Sequence, residues 1–322
     1  MAKYLKRGEV AAFTDIEDNM RQVFHHEFSK NVYKNEIISM KQEGAITEED
    51  LLIAKALFQF RFATLEQLHE AVGSSKNMNA FYSRLEKLLQ YRIINKFMMT
   101  YGQEDHFQAD AYTVYCLDIG GQSLLTHFWN VDDLLDWYYI LNIVTGELVS
   151  RFLMITDIAL SFSRTNPDQM DYFKANPNLR LGNQTMVPAF EICFRKGDHV
   201  TYFVGEVVRK QEKAIFREKA LKWNRLLKTN TWKKYYHGDS DKPPVLLVVC
   251  GDDLTALYIG KVLTETAELD VFRLTTEERI KVPLYEKGVF MKYVPEQNQL
   301  KKTSIINFRP ASTTAPAEET EE

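Results

Sequence analysis

At 322 residues, with 45% apolar and 26% charged side chains, the chain has the length for two cores and the balance of an ordinary water-soluble globular protein. Its net charge of −4 averages over very uneven stretches. No apolar run is long enough to cross a bilayer, and Met1–Arg7 lacks the apolar centre of a signal segment, so the expectation is a cytoplasmic protein that does not engage a membrane. Cys116, Cys193 and Cys250 are far apart and set among apolar neighbours, which predicts buried thiols rather than disulfides or a zinc site.

In chain order, Thr14 and Glu17 have capping-box spacing, and Ile16, Met20, Val23, Phe24, Phe28, Val32 and Ile37 recur at roughly helical spacing. Residues 1–47 are thus predicted to be an amphipathic helical extension over 14–42, with a break at Asn31. His25 and His26 are neighbours, so they leave a helix in different directions and do not form a metal pair.

Residues 48–120 carry the clearest pattern. A helix at Glu48–Phe60 is followed by a second that Thr64 can cap, with Leu65, Leu68 and Val72 inward and Gly73 as its stop. Ser74–Asn77 is turn material. A third helix starts at Asn79, with Phe81, Leu85, Leu88 and Leu89 inward. Two strand-like runs follow, Lys96–Tyr101 and Ala111–Leu117, joined by a polar tip at Gly102–His106 and ended by Gly120-Gly121. Helix, helix, turn, helix and a two-stranded wing is the order of a winged helix-turn-helix, in which the third helix can enter a DNA major groove. On its outer side Lys76, Asn77, Asn79, Tyr82, Ser83, Arg84 and Lys87 are the candidate contacts to phosphates and base edges. The acids Glu104 and Asp105 disfavour wing–phosphate contact.

Residues 121–163 are predicted to be connecting helices: a short one over Ser123–Trp129 and a strongly apolar, buried region from Asp132 to Phe162, divided near Gly146. Residues 164–182 are rich in turn signals, and a second domain is placed at 164–309. It would hold strands at Val187–Arg195 and Val200–Arg209 around a hairpin turn at 196–199. A helix at Glu212–Leu227, a buried strand at Val245–Cys250, a helix at Leu254–Thr266 and strands at Asp270–Leu274 and Phe290–Val294 complete a small mixed sheet with flanking helices. The fold class is therefore α+β. Residues 310–322 are low-complexity and acidic, hence expected to be disordered.

Charge concentrates at Arg209–Lys234, where ten bases face two acids, a net of +8 in 26 residues. Arg209, Lys210, Lys213, Arg217, Lys219 and Lys222 form the candidate phosphate-binding stripe, with Trp223, Trp232, Tyr235 and Tyr236 interleaved.

Gly205-Glu206-Val207-Val208-Arg209-Lys210-Gln211-Glu212, on a strand entering a basic helix, resembles the signature of the plasmid replication-relaxation family. Phe62–Leu68, Ser83–Leu88 and Pro243–Val249 stand in matching places, so the likeness spans about residues 48–275. It implies a second domain similar to the restriction-endonuclease-like nuclease fold and a role beside plasmid or mobile-element replication, relaxation or transfer. Such a nuclease needs several acids to hold Mg²⁺ and a lysine nearby. The matching positions here are Ala189, with Glu191 two residues on, then Glu206 and Val208. One carboxylate in place is too little, so the site reads as degenerate, with no catalytic residue, no metal and no cofactor. The expected function is non-catalytic binding of double-stranded DNA by a homodimer, beside replication or transfer proteins. The alternatives are a metal-dependent nuclease using Glu191 and Glu206, and an adaptor whose winged module docks a protein.

Overall fold

The computed structural model describes residues 4–28, 34–102, 104–129, 137–165, 167–197, 199–236 and 242–305, with the backbone alone at Lys196. The chain divides into two compact units, Met1–Leu160 and Ser161–Glu322.

The first unit begins with a 3₁₀ turn at Phe13–Asp15, strand β1 (Arg21–Phe24) and helix α1 (Lys34–Gln42). Then come α2 (Glu48–Phe60), β2 (Phe62–Ala63), α3 (Leu65–Ala71), α4 (Met78–Gln90), β3 (Ile94–Thr100), β4 (Val114–Leu117) and α5 (Ile119–Phe128). The four strands form one sheet in the order β1-β3-β4-β2. The single helix expected over 14–42 is not formed. Arg21–Phe24 instead pair antiparallel with Thr100–Phe97, so backbone partners some 75 residues downstream override the local spacing. Nor do Thr14 and Glu17 cap a helix there: the N–H groups of Ala11 and Ala12 donate to the Asp15 carboxylate at 3.0 and 2.9 Å. Asn31, where a break was expected, lies outside the described residues.

Local chemistry explains the next helices. Thr47 and Asp50 cap α2 reciprocally, and Thr64 and Gln67 do the same for α3, with Gln67 N–H to Thr64 Oγ1 at 3.2 Å and Thr64 N–H to Gln67 Oε1 at 3.0 Å. Gly73 adopts φ +59° just beyond α3, where a left-handed stop favours glycine. Asn77 caps α4 by accepting the Ala80 N–H at 2.9 Å. Phe81, Leu85, Leu88 and Leu89 are buried, as their spacing predicts. Gly120 and Gly121 do not end the wing: they lie in the first turn of α5, capped by Asp118. A Cβ on them would stand 2.7 Å from the Arg92 carbonyl oxygen and 2.3 Å from that of Ile93, so two glycines let the helix seat on this turn.

A 3₁₀ turn at Tyr139–Asn142 and helix α6 (Gly146–Thr165) follow. The continuous burial expected from Asp132 to Phe162 does not hold. Residues 130–136 lie outside the described residues, and Tyr138, Ile140, Leu141 and Ile143 are exposed. Val149, Leu153, Ile155 and Ile158 do face the core, and Gln67 ties α3 to α6 by bonds to Leu153 O (2.9 Å) and Asp157 (2.7 Å).

The second unit is built on a seven-stranded mixed sheet: β5 (Met170–Ala175), β8 (Phe190–Lys196), β9 (His199–Val208), β10 (Val245–Cys250), β11 (Phe272–Thr276), β12 (Phe290–Val294) and β13 (Gln299–Thr303) lie side by side in that order. A separate hairpin joins β6 (Leu179–Leu181) to β7 (Gln184–Met186). β9 runs parallel to β10, and β10 parallel to β11; the other neighbours are antiparallel. Three elements were invisible to the sequence reading. β5 and the β6–β7 hairpin fall where loop was expected, because two Asn-Pro pairs outweigh short strand runs, and β13 is a polar edge strand with little apolar signal. Asp198 of the expected hairpin turn and all of 306–322, including the tail, lie outside the described residues.

Helices α7 (Phe216–Lys228) and α8 (Asp253–Lys261, continued by a π-helical turn at Val262–Thr266) cover one face of this sheet. There Ala220, Trp223, Leu226, Ala256, Ile259 and Leu263 pack on Val204, Val208, Leu246, Val248, Cys250 and Leu274. Strand alternation sends Phe190, Phe194 and Phe203 to the other face, where Phe162 meets the rings of Phe194 and Phe203 at 5.6 and 5.5 Å.

Candidate nucleic-acid interface and acidic site

In the first unit the expected contact residues fall into two groups. Lys76 is paired with Glu49. Arg84 binds the fully buried Asp50 (Nε to Oδ1 2.6 Å) and donates to Ala45 O at 2.8 Å, and the Asp50 hydrogen bond raises its guanidinium further. Asn77 spends its side-chain oxygen on the cap, Ser83 donates to Asn79 O at 3.0 Å, and Tyr82 is half-buried, its phenol raised by burial and by Glu86. Asn79 and Lys87 stand exposed on α4. The expected contact roles of Lys76 and Arg84 therefore meet a correction: both side chains are held within the unit by α2. On the wing side, Arg21 of β1 bonds Gly102 O (3.0 Å), Glu104 O (2.8 Å) and Asp105 (3.1 Å).

In the second unit the basic stretch begins where β9 ends. Arg209 is wholly buried, which removes it from any DNA-contacting stripe, and its N–H donates to Glu212 Oε2 at 2.8 Å. A 3₁₀ turn at Lys210–Glu212 delays α7 to Phe216, four residues later than expected. Lys210, Lys213, Arg217 and Arg225 are exposed and Lys222 half-exposed, and none of the five is in an ion pair among the described residues. Lys213 Nζ instead lies 5.8 Å from the centre of the Tyr258 ring. The interleaved aromatics are core: Trp223, Trp232 and Tyr236 are buried, and Tyr235 is half-buried, exchanging bonds with the Arg180 backbone at 2.7 and 2.8 Å.

Beneath this stretch the β8–β9 register places Glu191 opposite Val204; extended by two residues, it sets Ala189 opposite Glu206, with Ala189 N–H donating to Gly205 O at 2.8 Å. Glu191, Glu206 and Val208 thus share the sheet face that carries α7. Glu206 is fully buried; Trp223 Nε1 donates to it at 3.0 Å and Lys219 Nζ stands 2.5 Å away. Lys219 therefore belongs to this buried site rather than to the exposed stripe. Its spacing could have shown this, because it lies three residues after Phe216 and four before Trp223, at the rim of the buried helical face. Val208 is packed in the apolar cluster. Glu191 accepts from the Tyr172 hydroxyl, whose phenol is raised by burial and by that bond, and Tyr236 is raised by burial and by the Glu191 charge. Neighbouring Cys193 is pushed up to about 11, chiefly by burial and then by the Asp171 charge. The two carboxylates each have their own donors. Among the described residues no three His, Cys, Asp or Glu side chains gather as a metal-holding group, and no helix is long and apolar enough to cross a membrane.

No family model and no curated protein matches the chain. Among solved structures it is weakly similar to restriction endonuclease FokI, at 10% identity and a TM-score of 0.26 over 71% of this chain and 42% of that one. FokI bound to DNA gives 13% identity and a TM-score of 0.25 over 79% and 45%. The chain thus matches less than half the length of either structure.

Proposed function

We propose that the protein is a non-catalytic DNA-binding protein. The observation that carries the reading is the set of exposed cations Lys210, Lys213, Arg217 and Arg225, none of them in an ion pair among the described residues, although Lys210 and Lys213 lie within electrostatic reach of Asp252. Several like charges left out of ion pairs in one short basic stretch repel one another, and binding a polyanion relieves that cost while releasing the polyanion's counterions. The first unit, with its helix–strand–helix–turn–helix–strand–strand order, is on this reading a winged helix-turn-helix that offers Asn79 and Lys87 of α4 to a groove. The second is a restriction-endonuclease-like domain whose acidic site is degenerate: an alanine faces Glu206, and Lys219 and Trp223 occupy Glu206 itself. A second copy of the chain and a place beside plasmid or mobile-element replication or transfer belong to the same proposal, supported by the likeness of residues 205–212 and 243–249 to the replication-relaxation family.

The test is binding to duplex DNA across a salt series, with and without Mg²⁺, for wild type, Lys87→Ala and a Lys210/Lys213/Arg217 triple alanine. The expected result is affinity that falls steeply with salt, a slope reduced by about 3 in the triple variant, and intact DNA throughout. Mg²⁺-dependent cleavage abolished by Glu206→Ala would establish the nuclease reading instead. Absence of duplex binding at low salt, with salt-insensitive capture of a protein, would establish the adaptor.

A further inference from the structure

β9 and β10 are parallel neighbours, so the segments that follow them leave the sheet at the same end. One contact shows that these segments meet, Lys213 over the Tyr258 ring, and the charges of Lys210 and Lys213 are felt at Asp252. Burial pushes the Asp252 carboxyl up, but the Thr255 N–H and hydroxyl, helped by those two lysines, hold it below its usual value. On this edge stand Ile215, 73% exposed, and Leu254, 77% exposed, the two most exposed large apolar side chains among the described residues. Tyr258, 39% exposed, follows Leu254 by one turn of α8 and carries Lys213 over its ring, and the exposed Lys210 and Arg217 flank Ile215 in sequence.

Isolated apolar side chains on a surface are ordinary; two of this exposure on the edge where an aromatic ring meets a basic segment are not. Duplex DNA turns its phosphates outward and keeps its base faces stacked inside, so it would satisfy the cations and leave Ile215 and Leu254 in water. An unpaired strand offers both chemistries, phosphates for the lysines and base faces for the apolar and aromatic side chains. A membrane would require more apolar depth than two side chains and one ring provide.

We infer that the edge formed by residues 210–217 and 252–258 binds an unpaired DNA strand, with phosphates on Lys210, Lys213 and Arg217 and bases against Ile215, Leu254 and Tyr258. This rests on the DNA-binding reading for its phosphate contacts and goes beyond it in naming the form of the DNA.

The experiment measures fluorescence anisotropy of the full chain with labelled oligo-dT and with a hairpin duplex of equal nucleotide count. Ile215→Ser with Leu254→Ser is expected to weaken oligo-dT about tenfold and to leave the duplex within about twofold, the loss appropriate to one or two base contacts. Lys213→Ala with Arg217→Ala should weaken both. Ultraviolet crosslinking of wild type to an iodouracil-substituted strand should attach within 210–217 or 252–258, a readout that requires no variant to fold. Unchanged oligo-dT affinity in the serine pair, equal loss for both DNAs, or crosslinks only elsewhere would overturn the inference. So would wild type that ignores oligo-dT but binds phosphatidylserine vesicles, or itself, through Ile215 and Leu254. Oligo-dT binding retained while the duplex fails would sink the duplex reading alone.

Discussion

Lys76 and Lys213 are both exposed lysines just ahead of a helix, yet Lys76 meets Glu49 and Lys213 meets the face of Tyr258. The same contrast separates a set of paired cations in the first unit from one row in the second, where Arg195, Lys228 and Arg279 do have carboxylate partners. In the first, Lys6, Arg21, Lys41, Lys76, Arg84, Arg92 and Lys96 are each matched by a carboxylate from elsewhere in that unit. In the second, the row Lys210, Lys213, Arg217 and Arg225 has no such match among the described residues. A cation that already has a buried partner must break that pair before it can bind a phosphate. One without a partner loses only water and counterions. Residue type therefore does not tell a fold-holding cation from a ligand-facing one; the partner does.

The comparison can be broken most sharply at Arg84. Arg84→Ala leaves the Asp50 carboxylate buried without its guanidinium, and a loss of about 3 kcal/mol is expected in urea unfolding, with unchanged DNA affinity per folded molecule. A large affinity loss without a stability change would reverse the assignment. Next in size, Lys213→Ala with Arg217→Ala should lower duplex affinity about tenfold at low salt while the unfolding midpoint stays put. Lys87→Ala, which removes one exposed charge on α4, should cost about threefold and reduce the salt slope by about 1.

The smallest effect concerns Asp253. The Arg279 hydrogen bonds, at 3.0 and 2.7 Å, hold its carboxyl below the ordinary value against the upward push of burial. A carboxyl depressed on folding adds stability that is complete above the unfolded-state value, near pH 4, and is lost as pH falls through the lower folded-state value. Asp253→Asn should thus remove a few tenths of a kcal/mol at pH 7, this pair being well exposed to water, and nothing in acid that protonates the carboxyl in both states. A variant that is equally destabilised at both pH values would show that the contribution is not ionic.

Elements set by local chemistry were legible in the sequence. The caps at Thr47 and Thr64, the stop at Gly73, the apolar stripe of α4 and the strand β10 all lie within a few residues of where composition and spacing place them. What escaped depends on partners far along the chain. β1 exists because β3 supplies its hydrogen bonds, and the isolated spacing of Ile16, Met20 and Val23 cannot report that. Glu191 could be assigned by alternation to the sheet face of Ala189, and the register puts it there. The partners that tie up Glu206, however, come from a helix whose start the sequence placed four residues early, and Arg209 looked like the first member of a surface row although the strand carries it inside. The first misplacement follows from the 3₁₀ turn between β9 and α7, which delays the helix start.

The three cysteines lend the molecule a practical property. Cys116, Cys193 and Cys250 are free and buried; burial, the largest cause at each, pushes all three thiols upward. Near neutral pH they are therefore protonated and shielded, and slow to react with maleimides. A single cysteine introduced at Ile215 or Asn79 would then take a spin label or fluorophore without removal of the native thiols, turning each proposed DNA surface into its own reporter.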